Sequence, residues 1–343
     1  MRRIALLCSL LLACLVTSQA QAAPTSILQR PYDLDSGHGV LRGTLLLPQT
    51  QTPPPVALLI AGSGPTDRDG NNPEGGQNAY LRKLAEALAE NGIASVRYDK
   101  RGVARSLPAA PREEELSVEA YVSDVVAWSD KLAHDPRFGR QVLIGHSEGA
   151  LIASLAAPQT HAEALVSLAG SARPIGDVLR EQLQGRLPPP LLAQADQLID
   201  RLQAGQLQPK VPEPLKVLFR PSVQPYLISL FRQDPARAFA ALKLPTQILQ
   251  GTNDIQVGVE DAQALKRAKP DSDFHLISGM NHILRIVPTS GPQQLASYNN
   301  PNLPLARELV ERVTTFIRHA QTLPDATLAT SGANVSRNPP VRR

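Results

Sequence analysis

The stretch that most constrains this chain is Val142-Leu143-Ile144-Gly145-His146-Ser147-Glu148-Gly149-Ala150-Leu151-Ile152-Ala153. An apolar run enters Gly-x-Ser-x-Gly, and small, helix-tolerant residues leave it. The order reads as a buried strand, a sharp turn bearing Ser147, and then a helix. A serine on such a turn is lifted out of the sheet toward whatever binds above it. Side chains at Gly145 and Gly149 would clash, because strand and helix backbones nearly touch there. The five-residue pattern alone arises often by chance, so the flanking elements and more distant residues must decide its meaning.

The rest of the chain supplies the expected surroundings. Hydrophobic residues make up 42% and aromatics only 4%, so the core is aliphatic, as suits a parallel sheet covered by helices. Residues 26–47 read as two strands with a Gly-containing turn at 35–39. Residues 56–60 are continuously apolar, as in a fully buried strand. A long polar loop, 61–72, leads to a helix from Asn78 with Leu81, Leu84 and Leu88 on one face and Gly92 closing it. Strands at 93–99, 141–144 and 164–168 alternate with a helix at 117–133 and the helix after Ser147. That alternation predicts a parallel sheet with right-handed crossovers and ligand chemistry at the carboxyl ends of the strands. Ser147 and the Gly62-Ser63-Gly64 loop both fall at such ends. Residues 172–243 break the pattern with many prolines. Leu191, Leu192, Leu198, Leu202, Tyr226, Leu227, Leu230 and Phe231 nevertheless favour a folded helical cap over a linker. Strands at 246–250 and 273–277 and helices at 260–268 and 305–319 then resume the alternation.

A serine hydroxyl is a poor nucleophile near neutral pH and needs a base, which in turn needs an orienting carboxylate. On this architecture the acid follows a late strand and the histidine follows the last one. Asp254, in Gly251-Thr252-Asn253-Asp254, and His282, in Gly279-Met280-Asn281-His282, occupy those places. Asp261 is a poorer acid because it lies inside the next helix. Of the other histidines, His146 points along the turn, His275 lies in a strand, and His38, His134, His161 and His319 belong to turns or helix surfaces. Backbone N–H groups of Glu148 and Ser63 are the expected oxyanion donors. Asp67, Arg68, Asp69, Asp99 and Arg101 read as loop-fixing charges rather than substrate contacts. No His/Asp/Glu cluster has metal-ligand spacing, and Gly62 and Gly64 lack the Lys-Ser/Thr end of a phosphate loop, so neither metal nor cofactor is expected.

Taken together, Gly62-Ser63-Gly64-Pro65 with Asp67-Arg68-Asp69-Gly70, Arg97-Tyr98-Asp99-Lys100-Arg101-Gly102, Gly145-His146-Ser147-Glu148-Gly149, Gly251-Thr252-Asn253-Asp254 and Gly279-Met280-Asn281-His282 resemble the α/β-hydrolase superfamily. More narrowly the chain is similar to bacterial esterases and serine-aminopeptidase-like hydrolases. One departure is Ala61, which stands where many relatives have a histidine. The resemblance implies an α/β-hydrolase fold, a mostly parallel central sheet flanked by helices with an inserted helical cap. Its core would comprise 26–171 and 244–322, with the cap at 172–243. It implies Ser147 as nucleophile, Asp254 as orienting acid and His282 as base. The expected activity is cleavage of a small-molecule carboxylic ester, with an apolar acyl or alcohol group suggested by the Leu/Pro-rich cap. The alternatives are an aminopeptidase-like peptide hydrolase and a non-catalytic binding protein on the same fold.

The N-terminus reads as a signal peptide at 1–22. Arg2 and Arg3 precede an apolar stretch at 4–16, and Ala20-Gln21-Ala22 is a small-x-small cleavage site. Export to the periplasm or medium follows. Leu11-Leu12-Ala13-Cys14 is a weaker, lipoprotein-like competitor for the same segment. The apolar part is too short for a membrane span. Cys8 and Cys14 are the only cysteines, so the processed chain has no disulfide and no thiol nucleophile. The composition of 323–343 reads as a disordered tail. The net charge of +4 is concentrated near the termini, in Arg2, Arg3, Arg337, Arg342 and Arg343, and gives no reason to expect nucleic acid.

Overall fold

Continuous aliphatic runs need burial on both faces, and they form the middle of an eight-stranded sheet. The computed structural model describes residues 26–73 and 75–320. The expected signal peptide with Cys8 and Cys14, and the expected tail at 323–343, lie outside the described residues. The strands are β1 (Ile27–Pro31), β2 (Gly43–Pro48), β3 (Val56–Ile60), β4 (Ala94–Tyr98), β5 (Gln141–His146), β6 (Ala162–Leu168), β7 (Thr246–Gly251) and β8 (Asp273–Ile277). Their order across the sheet is β1-β2-β4-β3-β5-β6-β7-β8. The pairs β1–β2 and β2–β4 are antiparallel, and every later pair is parallel. Every residue of β3 and β5 is buried. The chain steps from β3 to β4 on one side and then to β5 on the other. The crevice at such a switch is where open α/β sheets bind ligands.

Helices cover both faces: α1 (Tyr80–Glu90), α2 (Val118–Ala133), α3 (Glu148–Ala156), α4 (Ile175–Leu183), α5 (Pro189–Gln203), α6 (Lys216–Phe219), α7 (Gln224–Phe231), α8 (Pro235–Ala240), α9 (Val259–Ala268), α10 (Pro292–Ser297) and α11 (Arg307–Ala320). Side chains alternate along β3. Leu58 and Ile60 pack in one core with Val125 and Trp128 of α2, Ile152 of α3 and Leu265 of α9. Ala57 and Leu59 pack in the other with Leu84 and Leu88 of α1 and Leu309 and Val313 of α11. This is the α/β-hydrolase architecture that the sequence led us to expect. Among the described residues no helix is long and apolar enough to cross a membrane.

Two local features differ from the sequence expectation. Val40–Leu41 does not join the main sheet but pairs with Leu34–Asp35 in a separate ribbon. The cause lies at the junction. The Asp33 carboxylate takes the Gly43 N–H at 3.1 Å and the Arg42 side chain at 2.7 Å, while the Arg42 N–H goes to Ser106 Oγ at 2.8 Å. Those bonds turn the chain before β2 begins. In the 172–243 stretch, the prolines start helices rather than break them. Pro189, Pro225 and Pro235 lie in the first turns of α5, α7 and α8, where a missing N–H costs nothing. Leu198, Ile199 and Leu202 of α5 cluster with Phe219 and Phe231, and α7 sends Tyr226 and Leu230 into the main core.

The packing of α3 against β3 gives a direct test. A Cβ on Gly149 would sit 2.3 Å from the Ile60 carbonyl oxygen and 2.6 Å from that of Ala61. Both are backbone atoms that cannot swing aside. Gly149→Ala is expected to destabilise the protein by about 2 kcal/mol or more, read as a lowered urea midpoint. A wild-type midpoint would contradict this packing.

Candidate active site

The turn between β5 and α3 holds Ser147 at φ 55°, ψ −123°. A non-glycine residue in that region costs on the order of 1–3 kcal/mol and survives only where its surroundings impose it. Here the Ser147 N–H donates to the Leu168 carbonyl at 2.8 Å, and the Ser147 carbonyl accepts from Ala150 at 2.9 Å. Close packing does the rest: a Cβ on Gly145 would meet the Gly149 carbonyl oxygen at 2.3 Å and Ala150 Cα at 2.5 Å. The steric reason inferred for the two glycines therefore holds.

Asp254 lies in the turn after β7, its side chain wholly buried. One carboxylate oxygen accepts the N–H groups of Gln256 at 2.8 Å and Val257 at 3.0 Å. The other accepts from Gln250 Nε2 at 3.1 Å and lies 2.8 Å from His282 Nδ1. Burial alone would raise this carboxyl's pKa, but the His282 ring and the two backbone donors outweigh it and hold it below its usual value. An ionised carboxylate can only accept, so Nδ1 of His282 carries a proton, and in the neutral ring Nε2 is the nitrogen with the free lone pair. The loop bearing His282 is itself braced. Buried Asn281 donates to Gln294 Oε1 and Ser297 Oγ, both at 2.9 Å, and accepts from the Arg285 N–H at 3.0 Å. Gln294 also reaches the Asn253 carbonyl at 2.7 Å. Helix α10 thus ties the Asp254 turn to the His282 loop.

Ser147, His282 and Ser63 line one cleft of about 110 Å³, with Asp254 behind His282. Among the described residues no hydrogen bond joins Ser147 to His282. Glu148 is the first residue of α3 and its side chain is buried, with Oε1 3.9 Å from Lys100 Nζ. Most of the remaining wall comes from the loop after β3, including Thr66, Asn72 and Asn78, and from Tyr80 at the start of α1, with Gln256 and Tyr298 also lining it. No residue of 172–243 is among its lining. The buried apolar side chains of that stretch pack in its own cluster and in the main core. Larger grooves of about 800 and 750 Å³ lie elsewhere and contain none of the candidate residues.

The charged residues around the loops act on structure. Arg68 pairs with Asp99 at 2.6 Å, Arg97 with Asp69 at 2.9 Å, and Arg101 with buried Asp124 at 2.5 Å. Asp67 instead accepts the N–H groups of Asp69 and Asn71 within its own turn. Asp261 pairs with Arg173 at 2.9 Å. Among the described residues no group of His, Cys, Asp or Glu is placed to hold a metal ion.

Sequence reasoning missed the part played by His146. Its ring is buried, with Nε2 2.7 Å from the His282 carbonyl oxygen and Nδ1 2.8 Å from the Tyr80 hydroxyl. A carbonyl only accepts, so Nε2 is protonated and Nδ1 accepts from Tyr80. Burial, reinforced by His282, pushes its pKa down to about 3 and keeps the ring neutral. His146 thereby joins α1, the Ser147 turn and the His282 loop. The one available signal was a polar residue inside an otherwise apolar strand end.

This arrangement carries a pH signature. The folded protein binds a proton at His146 only near pH 3, whereas an unfolded chain binds one near pH 6.5. The stability it contributes is therefore complete above about pH 6.5 and is lost as pH falls toward 3. Between pH 7.5 and 4.5 the wild type should lose roughly 2–3 kcal/mol more than His146→Gln, measured by urea unfolding. Parallel losses in the two proteins would contradict the assignment.

Known proteins bear on this site. A family model described as Serine aminopeptidase, S33 matches residues 77–285, which contain Ser147, Asp254 and His282. The chain is 27% identical over 248 residues to Esterase EstD of Thermotoga maritima, covering 71% of this chain but only 58% of that relative's length. Among solved structures, the alpha/beta hydrolase GrgF from Penicillium sp. sh18 gives a TM-score of 0.59 at 17% identity, covering 86% of this chain and 100% of that one. Est1E from Butyrivibrio proteoclasticus gives 0.55 at 16% identity, covering 85% and 98%. At such identities the two structures speak for the fold alone. The family match spans more than half of the sequence, and the chain belongs to the serine aminopeptidase S33 family of α/β-hydrolases.

Proposed function

We propose that this hydrolase cleaves carboxylic esters through an acyl-enzyme on Ser147, with His282 as base and Asp254 as orienting acid. The observation that carries the reading is the 2.8 Å contact of Asp254 with His282 Nδ1, which leaves Nε2 of a cleft-lining ring able to take a proton. Ser147 Oγ attacks the ester carbonyl while His282 Nε2 accepts its proton. Asp254 stays ionised and steadies the imidazolium. The N–H groups of Ser63 and Glu148 receive the negative charge that develops on the carbonyl oxygen. The tetrahedral intermediate expels the alcohol, protonated by His282, and water then releases the acid by the same route. The Ser147–His282 contact closes once a substrate is seated, as such contacts often do.

The esterase relative favours an ester over a peptide bond. The size of the cleft favours a short acyl group. About 110 Å³ is far below the several hundred Å³ that enclose a drug-sized ligand. The competing reading, aminopeptidase-like cleavage, rests on the family's description. Before it acts, the protein is exported, with the signal segment removed after Ala22; a mature N-terminus other than Ala23 would contradict that step.

Hydrolysis of p-nitrophenyl esters of increasing acyl length, beside aminoacyl p-nitroanilides, separates the readings. We expect turnover of acetate and butyrate esters, a decline with longer chains and little activity on anilides. Activity on anilides alone would overturn the ester assignment. Ser147→Ala and Asp254→Asn should each lower kcat by about 10⁴-fold or more, with folding unchanged. Retained turnover in Ser147→Ala would remove the nucleophile from the scheme.

A further inference from the structure

Lys100 has no part in the scheme above, yet it is one of the most deeply buried charged side chains, only 2% exposed. It sits just past β4, beside the ion-paired Asp99 and Arg101, and its Nζ lies over the Tyr121 ring, 5.2 Å from the centroid. Its Nζ donates to the Gly62 carbonyl oxygen and lies 3.9 Å from Glu148 Oε1. One ammonium group thus touches both segments whose backbone N–H groups the proposed mechanism uses.

The peptide between Gly62 and Ser63 is planar and trans, so its C=O and N–H point in opposite directions. Fixing the Gly62 carbonyl on Lys100 therefore fixes the direction of the Ser63 N–H. Gly62 has no side chain to hold it, and the position has little room for one. A Cβ there would lie 3.2 Å from both His146 Nδ1 and Ser147 Cβ. The next carbonyl, that of Ser63, is held separately by Thr66 Oγ1 at 2.8 Å. A charged donor on the Gly62 carbonyl also polarises the peptide and strengthens its N–H as a donor. Glu148 completes the arrangement. Its carboxylate oxygen Oε1 is buried with no hydrogen-bond partner, and Lys100 is the cation beside it. Burying an ammonium costs several kcal/mol, which an apolar residue in the same space would avoid.

We propose that Lys100 is a positioning residue for the oxyanion hole: by bonding the Gly62 carbonyl and neutralising Glu148 it aims the Ser63 N–H and secures the start of α3. The inference rests on the ester-hydrolase reading of the site. Its effect belongs to the transition state, when the oxyanion forms, and not to substrate binding.

Lys100→Met alone strands the Glu148 carboxylate and threatens folding, so the decisive variant is Lys100→Met with Glu148→Gln, which removes both charges. Folding is checked by thermal unfolding. Ester turnover and inhibition by a trifluoromethyl ketone, which forms a tetrahedral oxyanion on serine, are then compared with wild type. We expect kcat to fall about 10²-fold, the inhibition constant to rise by a similar factor, and KM to stay within about threefold. A folded double variant with wild-type kcat and inhibition overturns the proposal, as does a rise in KM alone. A wild-type protein with no turnover and no inhibition overturns the hydrolase reading itself, a result distinct from either.

Discussion

The arrangement depends on one strained turn. Ser147 adopts a left-handed backbone conformation because β5, α3 and the end of β3 approach too closely for any other path. The glycines on either side make that approach possible. The cost of the strain is met by a sheet whose central strands are buried on both faces and by cores on each side of it. If the packing loosened, the serine would relax into the turn and no longer project. The site is in this sense a consequence of the core rather than an addition to it.

Around that turn, polar groups are fixed in layers. Asp254 is held by two backbone N–H groups before it meets His282, and Asn281 and Gln294 hold the loop that carries His282. On the other side, Tyr80, His146 and the His282 carbonyl form a chain of two hydrogen bonds through the interior. Each is buried and paired, so each is worth more than a surface contact and leaves few alternative geometries. The pairs Arg68–Asp99 and Arg97–Asp69 anchor the loop that supplies most of the cleft wall. Rigid support of this kind is what reactions through a developing oxyanion require.

The sequence made the sheet and its parallel centre legible from local signals, and the expected strand order marked Ser147, Asp254 and His282 at strand ends that the fold brings close together. Continuous aliphatic runs, glycines where backbones meet, and the order of strands are all written in short windows. The split between Val40–Leu41 and β2 was not legible, since it depends on Asp33 and Ser106 capturing the amides of Gly43 and Arg42. Nor were the contacts of His146 and Lys100, whose partners are Tyr80, the His282 carbonyl and the Gly62 carbonyl. Those contacts join positions tens to more than a hundred residues apart, and nothing in a local window announces them. The composition of 172–243 showed that its apolar residues would be buried, but not that they would divide between a cluster of their own and the main core.

The most direct measurement is the site of covalent modification by a fluorophosphonate, mapped by peptide mass spectrometry. A single adduct on Ser147 is expected in the folded protein, lost in urea and in His282→Ala. No adduct, or an adduct on another serine such as Ser63, would contradict it.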